Sequence, residues 1–432
     1  MAKQNNTAET NQFILEISDN LNMFIESINC LRETFGYSEG MLHMQKQNAD
    51  KAYAEFIAPY KSVSENGSLA IPNDKLRGFR KIERRKKIAE KAIQLIPPTY
   101  IVSAVSMFDS FLAGIIRCIY SLKPELLLES NMNFLYRDLV EYDSIKEVKN
   151  RIVENTIEKL FRESHTEQIA WIEKAIGVKT LRDYVGWPNY IELTERRNLF
   201  VHSEGVVSCQ YIDECKKNRY NVNNISIGNR LLADKDYFDQ SYNLLYEMAI
   251  MLTQILINKL YIGKYCVDTS ERDNILITCV FDLIVDKQYE IAINVSNFVS
   301  DSKTFCHNNK DKAFIELNLA QAYKWSGNSF ECKKVLDSMD DSIMINDLRI
   351  PKLTLEDRFE DVYPLMISVG DRSEILKKES YREWPIFKEI RKEEEFADTF
   401  KKIFNEELIE SNMTIKIDPA ENVANENDIV SN

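Results

Sequence analysis

Glycine and proline are scarce, at 12 and 10 in 432 residues. An all-β sandwich or propeller needs both at its many tight turns, so the scarcity argues against those folds. Histidine is scarcer still, with four in the chain. The eight cysteines (30, 118, 209, 215, 266, 279, 306, 332) are scattered without a Cys-x-x-Cys pair, and only Cys306 has a histidine, His307, beside it. Buried reduced thiols, rather than disulfides or zinc ligands, are the expectation, and with them no metal and no other cofactor. No run approaches the roughly 18 apolar residues of a membrane span, and the polar start Met1–Thr10 has no apolar core of a secretory signal. A cytoplasmic chain without a membrane partner is expected. Neither Gly-x-x-x-x-Gly-Lys-Ser/Thr nor Gly-x-Gly-x-x-Gly occurs, which argues against a nucleotide-driven motor and a dinucleotide enzyme.

What is present is a long, ordinary helical composition. Apolar residues make up 44% and charged residues 28%, which excludes a mainly disordered chain, a collagen-like chain and a disulfide scaffold. At about 150 residues per domain the length implies two or three domains. Phe13, Ile14, Ile17, Leu21, Phe24, Ile25, Ile28 and Leu31 recur at helical spacing. Breaks are expected at 64–68 and 71–74, where Asp74 is placed to cap a following basic helix. After Pro97-Pro98, residues 100–120 form an apolar helix suited to the centre of a bundle. Helical patterns return over 142–177, 187–204 and 235–262. The expected architecture is all-α: an N-terminal helical segment (1–89), an antiparallel bundle (90–265), a domain of helix pairs (266–404) and an acidic tail (405–432). In the third part, Leu319-Ala-Gln-Ala322-Tyr323-Lys-Trp-Ser-Gly327 with Cys332 and Leu336 resembles a tetratricopeptide helix pair. Tyr289–Ser296 resembles half of another, and Trp384-Pro385-Ile-Phe387 a closing element. The spacing from Ala292 to Cys332 is 40 residues rather than about 34, so such repeats are degenerate, and a generic helical domain is the alternative.

Charge is unevenly spread over the net −13. From Asn405 onward seven acids face one base, Lys416, in an Asn-rich, aromatic-free stretch that reads as a disordered tail after about residue 411. Between Lys75 and Lys91 nine bases face two acids. Arg77, Arg80, Arg84 and Lys87 share one helical face there. That face is either a solvated stripe or a sequence-independent grip on phosphates.

The residues that carry chemistry lie in Trp187-Pro188-Asn-Tyr-Ile-Glu-Leu-Thr-Glu195-Arg196-Arg197-Asn198-Leu-Phe-Val-His202-Ser-Glu204-Gly205. Pro188 suits a first helical turn and Gly205 a helix end. With four histidines and 20 arginines, an Arg five residues before a His is expected roughly 0.2 times, and with Asn after the Arg roughly 0.02 times. Asn198 and His202 are i and i+4, so the amide is placed to orient the imidazole. Arg197 lies about 140° round the helix from His202 and must reach back to join it. A proton-transfer imidazole, a permanent cation and an orienting amide suit cleavage of an RNA phosphodiester, in which the 2′-hydroxyl is the internal nucleophile and no metal is needed. One imidazole cannot take the 2′ proton and protonate the leaving 5′ oxygen in one concerted step; two copies facing each other across a dimer would. The bland alternative pairs Arg196 with Glu192 one turn earlier and leaves His202 as a helix-end residue. The deaminase-like His202-x-Glu204 lacks a downstream Pro-Cys-x-x-Cys.

Arg197-Asn198-x-x-x-His202, on a late helix of a bundle whose earlier helix carries Phe108-Asp-Ser-Phe-Leu112, resembles the HEPN superfamily over residues 90–262, with the trailing Gly205-Val-Val as a second point of likeness. The resemblance implies an all-α fold, pairing of two protomers around one cleft, and in many members metal-independent endoribonuclease activity in defence, toxin–antitoxin or stress responses. Carried over by position, Arg197 and His202 would be catalytic and Asn198 supportive, with Arg196 and Glu204 weaker candidates. The expected partners are an RNA substrate, a second copy of the chain, and a protein trigger or antitoxin at the C-terminal helix pairs. A non-catalytic helical adaptor is the competing expectation.

Overall fold

The computed structural model describes residues 2–63, 70–129, 142–262, 269–301, 305–341 and 344–408. Among these, every regular element is helical, and the one β contact is an isolated antiparallel bridge between Val206 and Arg230. The all-α expectation holds. The acidic stretch beyond residue 408 lies outside the described residues, as does Cys266.

Two long helices, α1 (Ala2–Ile57) and α2 (Leu76–Leu122), form an antiparallel hairpin. The apolar spacing read from the sequence is what α1 buries: Phe13, Ile17, Leu21, Phe24, Ile28 and Phe35. Two expectations for α2 do not hold. Asp74 caps nothing; it sits in a short 3₁₀ turn, and α2 begins after Lys75 with no side-chain cap. Pro97 and Pro98 do not end a helix either, since α2 runs through both. Each proline removes one i→i−4 hydrogen bond, but α2 is clamped against α1 on either side of the pair. Phe79 packs on Tyr53 and Phe56, and Tyr100 packs on Phe35 at 5.1 Å. The boundary expected at 89/90 therefore falls inside one continuous helix. An α2 stretch is also long and apolar enough to cross a bilayer by length and composition, although Ser103, Ser106 and Ser110 break it into short apolar runs. In this fold its apolar face (Ile101, Phe108, Leu112, Ile115) is wholly buried in protein. At the root of the hairpin Gly114 lets α1 approach: a Cβ there would lie 1.9 Å from Asn20 Oδ1.

The chain divides into two compact units, residues 1–280 with 294–308, and residues 281–293 with 309–432. In the first, the hairpin root packs on α5 (Trp187–His202) and α7 (Lys235–Leu256), with α3 (Ile145–Leu160), α4 (His165–Ile176) and α6 (Cys209–Lys217) around them. Phe24 and Phe108 (5.7 Å), Phe35 and Phe238 (4.2 Å), and Phe108 and Tyr190 (5.6 Å) make its aromatic centre. Each such ring contributes about 1.5–3 kcal/mol by leaving water. Arg117 ties α3 to α2 through a two-point ion pair with Glu154, at 2.7 and 2.8 Å.

The remaining helices are α8 (Ser270–Val285), α9 (Tyr289–Asp301), α10 (Asn309–Trp325), α11 (Ser329–Ser338), α12 (Asn346–Leu355), α13 (Phe359–Val369), α14 (Lys378–Glu383) and α15 (Glu394–Phe404). In the second unit α10 pairs with α11 and α12 with α13. Three helix-to-helix turns share one backbone device, a left-handed residue at Lys287, Gly327 and Asp357. Their spacing is 40 and then 30 residues, so no fixed period relates them. Tyr381, Phe387, Phe396 and Phe400 close this unit as an aromatic cluster.

Candidate functional site

α5 carries the motif. Pro188 occupies its first turn, and Ser203-Glu204-Gly205 ends it, with Glu204 and Gly205 both at positive φ and the Gly205 N–H donating to Leu199 O at 3.0 Å. A Cβ on Gly205 would meet Leu231 O at 2.7 Å, so glycine is required both by conformation and by the strand-like return of 229–231.

Arg196 and Arg197 leave this helix about 100° apart and meet different fates. Arg196 Nε donates to Glu192 Oε1 at 2.6 Å, its Nη1 donates to Leu232 O at 3.0 Å, and its guanidinium lies over the Tyr237 ring. Glu192 also accepts from the hydroxyls of Tyr211 (2.6 Å) and Tyr237 (2.8 Å). Arg196 is thus committed to a buried network that joins α5, α6 and α7. Arg196, one of the weaker site candidates in the sequence, makes the bland pairing with Glu192 in this fold.

Arg197 turns the other way. Its Nη2 lies 3.7 Å from Asp109 Oδ2 on α2, its Nη1 donates to Asn198 Oδ1 at 3.1 Å, and its Nε is buried without a partner. The other Asp109 oxygen is 3.0 Å from His165 Nε2 at the start of α4. One carboxylate therefore holds an imidazole and a guanidinium together. Asn198 also hydrogen-bonds Glu195, whose carboxyl burial and Glu214 push up while His165 and Asn198 pull it down. Tyr190, packed edge-on against His165, is held well above its ordinary pKa by burial and then by Asp109. The Asn198 amide is accordingly spent on Arg197 and Glu195, and no hydrogen bond joins it to His202 among the described residues. His202 is the last residue of α5, exposed, with no described hydrogen bond or ion pair. Glu204 is likewise exposed, 3.7 Å from Arg230.

Sequence reasoning missed Asp109 and His165 as members of this cluster. Asp109 lay inside the Phe108–Leu112 segment without a role, and His165 had no signal beyond the rarity of histidine. On the basic run, Arg77, Arg80 and Arg84 are exposed with no ion pair or hydrogen bond among the described residues, whereas Lys87 is paired with Glu83 at 2.8 Å. An apolar cavity of about 340 Å³, lined by Ile169, Leu181, Trp187, Met251 and Phe298 among others, borders the first turn of α5. Among the described residues no group of three His, Cys, Asp or Glu is placed to hold a metal ion. Of the described cysteines, 118, 215, 279 and 332 are buried as expected, and 30, 209 and 306 are exposed. No family model matches the chain, and no curated protein or solved structure is similar to it.

Proposed function

We propose that this chain is a metal-independent endoribonuclease of the HEPN type, cutting RNA by 2′-hydroxyl attack. The observation that supports it best is the pairing of a positioned cation with a free imidazole on one helix. Arg197 is held by Asp109 and Asn198, with a bare Nε, and His202 stands exposed five residues on. His202 moves the protons, Arg197 stabilises charge growing on the phosphate, and Asn198 supports Arg197 rather than His202. The second imidazole comes from His202 of a facing protomer. The exposed Arg77, Arg80 and Arg84 offer sequence-independent affinity for the RNA backbone. Such an activity acts as a toxin or as a defence or stress effector, with a protein trigger or antitoxin bound at the C-terminal helix pairs.

The adaptor reading draws on the same ion pair: Asp109 neutralises Arg197, as a purely structural contact does. One experiment separates the two. Wild-type protein and His202→Ala are incubated with RNA in EDTA, and the fragments are analysed for 2′,3′-cyclic phosphate ends. Cyclic ends from wild type alone are expected. Absence of cleavage by wild type, or equal cleavage by the variant, overturns the nuclease.

A further inference from the structure

One face of the α1/α2 hairpin has no described partner, and it is built like the seam of a coiled coil. On α1, Met23, Cys30, Tyr37 and Met44 recur every seven residues, and Ser27, Thr34, Met41 and Asn48 fall between them at alternating steps of four and three. All eight are exposed and none is charged. Together they span about 37 Å of helix. Alternating spacing of this kind keeps a row of side chains facing one neighbouring helix, and among the described residues α1 has none on that side. On α2 the matching face carries Ile88 and Leu95, exposed by 58% and 45%, then Ser103, Ser106, Ser110 and Gly114. The serine and threonine hydroxyls along this face are already satisfied. Ser27 donates to Met23 O (2.7 Å), Thr34 to Cys30 O, Ser103 to Thr99 O (3.0 Å), Ser106 to Val102 O (2.9 Å) and Ser110 to Ser106 O (3.2 Å). Covering these five with apolar side chains strands none of them, which leaves the Tyr37 hydroxyl and the Asn48 amide as the polar groups the partner must meet.

We infer that this face is a homodimer surface on which two hairpins pair antiparallel about a two-fold axis near Phe35. Size and charge both select that orientation. On this face five large exposed residues (Tyr37, Met41, Met44, Ile88, Leu95) lie in the outer half of the hairpin, and the root carries one, Met23, among small ones. An antiparallel pair sets Thr34 against the partner's Tyr37, Cys30 against the partner's Met41 and Ser27 against the partner's Met44. Along the root of α1, Glu16, Asp19, Glu26 and Glu33 face one base, Arg32, which is itself 3.7 Å from Asp239. The outer end carries nine bases to two acids between Lys75 and Lys91. Antiparallel pairing lays basic end on acidic root; parallel pairing lays basic end on basic end. Arg77 and Arg84 lie within about 40° of Ile88 round α2 and so border the seam, where they meet the partner's acidic root, whereas Lys87 projects about 100° away.

This surface is distinct from the motif and stands whether or not the chain cuts RNA. Asp109 lies nine residues along α2 from Tyr100, the ring neighbour of Phe35, so the two motifs of such a dimer sit roughly 27 Å apart along the hairpin. Bringing two motifs into one cleft takes a further contact.

Two measurements test the pairing. The first is solution mass by light scattering at micromolar concentration, for wild type and for Met41→Glu with Met44→Glu. Wild type is expected at twice the 50.4 kDa chain mass or a multiple of it, and the variant at half the wild-type value with unchanged helicity. A monomeric wild type or an unchanged mass overturns the surface. The second is oxidation of Met41→Cys, which is expected to give a covalent dimer through Cys30 that is lost on adding Cys30→Ser. A wild-type Cys30–Cys30 link in its place overturns the antiparallel orientation. His202→Ala, which tests the nuclease, leaves the mass unchanged, so the two readings fail separately.

Discussion

Replacing Glu192 tests whether the tandem arginines are divided as the structure divides them. Its carboxylate, with 3% of its side chain exposed, accepts from Arg196 at 2.6 Å and from the Tyr211 and Tyr237 hydroxyls at 2.6 and 2.8 Å. Burial and the nearby Glu192 charge keep both phenols protonated. Glu192→Ala leaves a nearly buried guanidinium without its counter-charge and the hydroxyls of the buried Tyr211 and the half-buried Tyr237 without an acceptor. Breaking one partner of a buried pair costs about 3–5 kcal/mol, and Arg196 retains only Leu232 O and the Tyr237 ring. A loss of about 4 kcal/mol is therefore expected. Glu192→Gln keeps an acceptor for the phenols and should lose about half of that.

Because the chain has two compact units, a single unfolding midpoint would mix them. Amide hydrogen exchange reads the loss locally. Protection of α5 and α6 amides should fall about 10³-fold in Glu192→Ala, with the second unit unaffected. A double variant, Glu192→Leu with Arg196→Met, removes both charges and should recover much of the protection, since an apolar replacement of a buried pair is often near neutral. A fall of less than tenfold in the single variant would refute the buried-network account. So would a double variant as weak as the sum of its parts.

Two further outcomes follow from the other side of α5. Asp109→Asn removes the charge that holds Arg197 while keeping its shape. In an RNA cleavage assay it should lower the rate about 10²-fold with little change in melting temperature, and an unchanged rate contradicts a positioning role. Glu195 has a folded pKa raised above 4.5 by burial and Glu214, so its contribution to stability is present below 4.5 and is lost as pH rises through the raised value. Glu195→Gln never ionises, and its melting temperature relative to wild type should climb between pH 4 and pH 7; a difference constant with pH rules this out.

The helical class was legible because its causes are local. Few glycines and prolines, and apolar residues at helical spacing, act within one or two turns. The double proline misled for the same reason: Pro97 and Pro98 do weaken a helix locally, but α2 continues through them, with rings at Phe79 and Tyr100 on either side packed on α1. At the site, spacing placed Arg197, Asn198 and His202 on one helix without fixing which way the amide turns. The decisive neighbours, Asp109 and His165, arrive from α2 and α4, 88 and 32 residues away in the chain. No pattern within α5 carries them. Only the tertiary fold distinguishes Arg196, neutralised inside, from Arg197, neutralised at a half-open edge.

Net charge carries a related lesson. The acids after Asn405 seemed detachable from the fold, yet the first of them are part of it. Glu406 pairs with Lys378 at 2.9 Å and with Arg382 at 3.0 Å, Glu407 pairs with Lys401, and Leu408 is buried. Their charge is cancelled on the second unit's own surface rather than displayed to a partner. The basic run does the opposite. Lys86 and Lys87 are answered by Asp50, Glu83 and Glu90, but among the described residues nothing answers Arg77, Arg80 and Arg84. A chain with a net charge of −13 therefore presents unpaired positive charge along one exposed helical face. At physiological salt a charge is felt over about 8 Å, so a phosphate backbone approaching α2 meets that face and not the distant acids. Local sign, rather than the total, decides whether an anionic polymer can bind there.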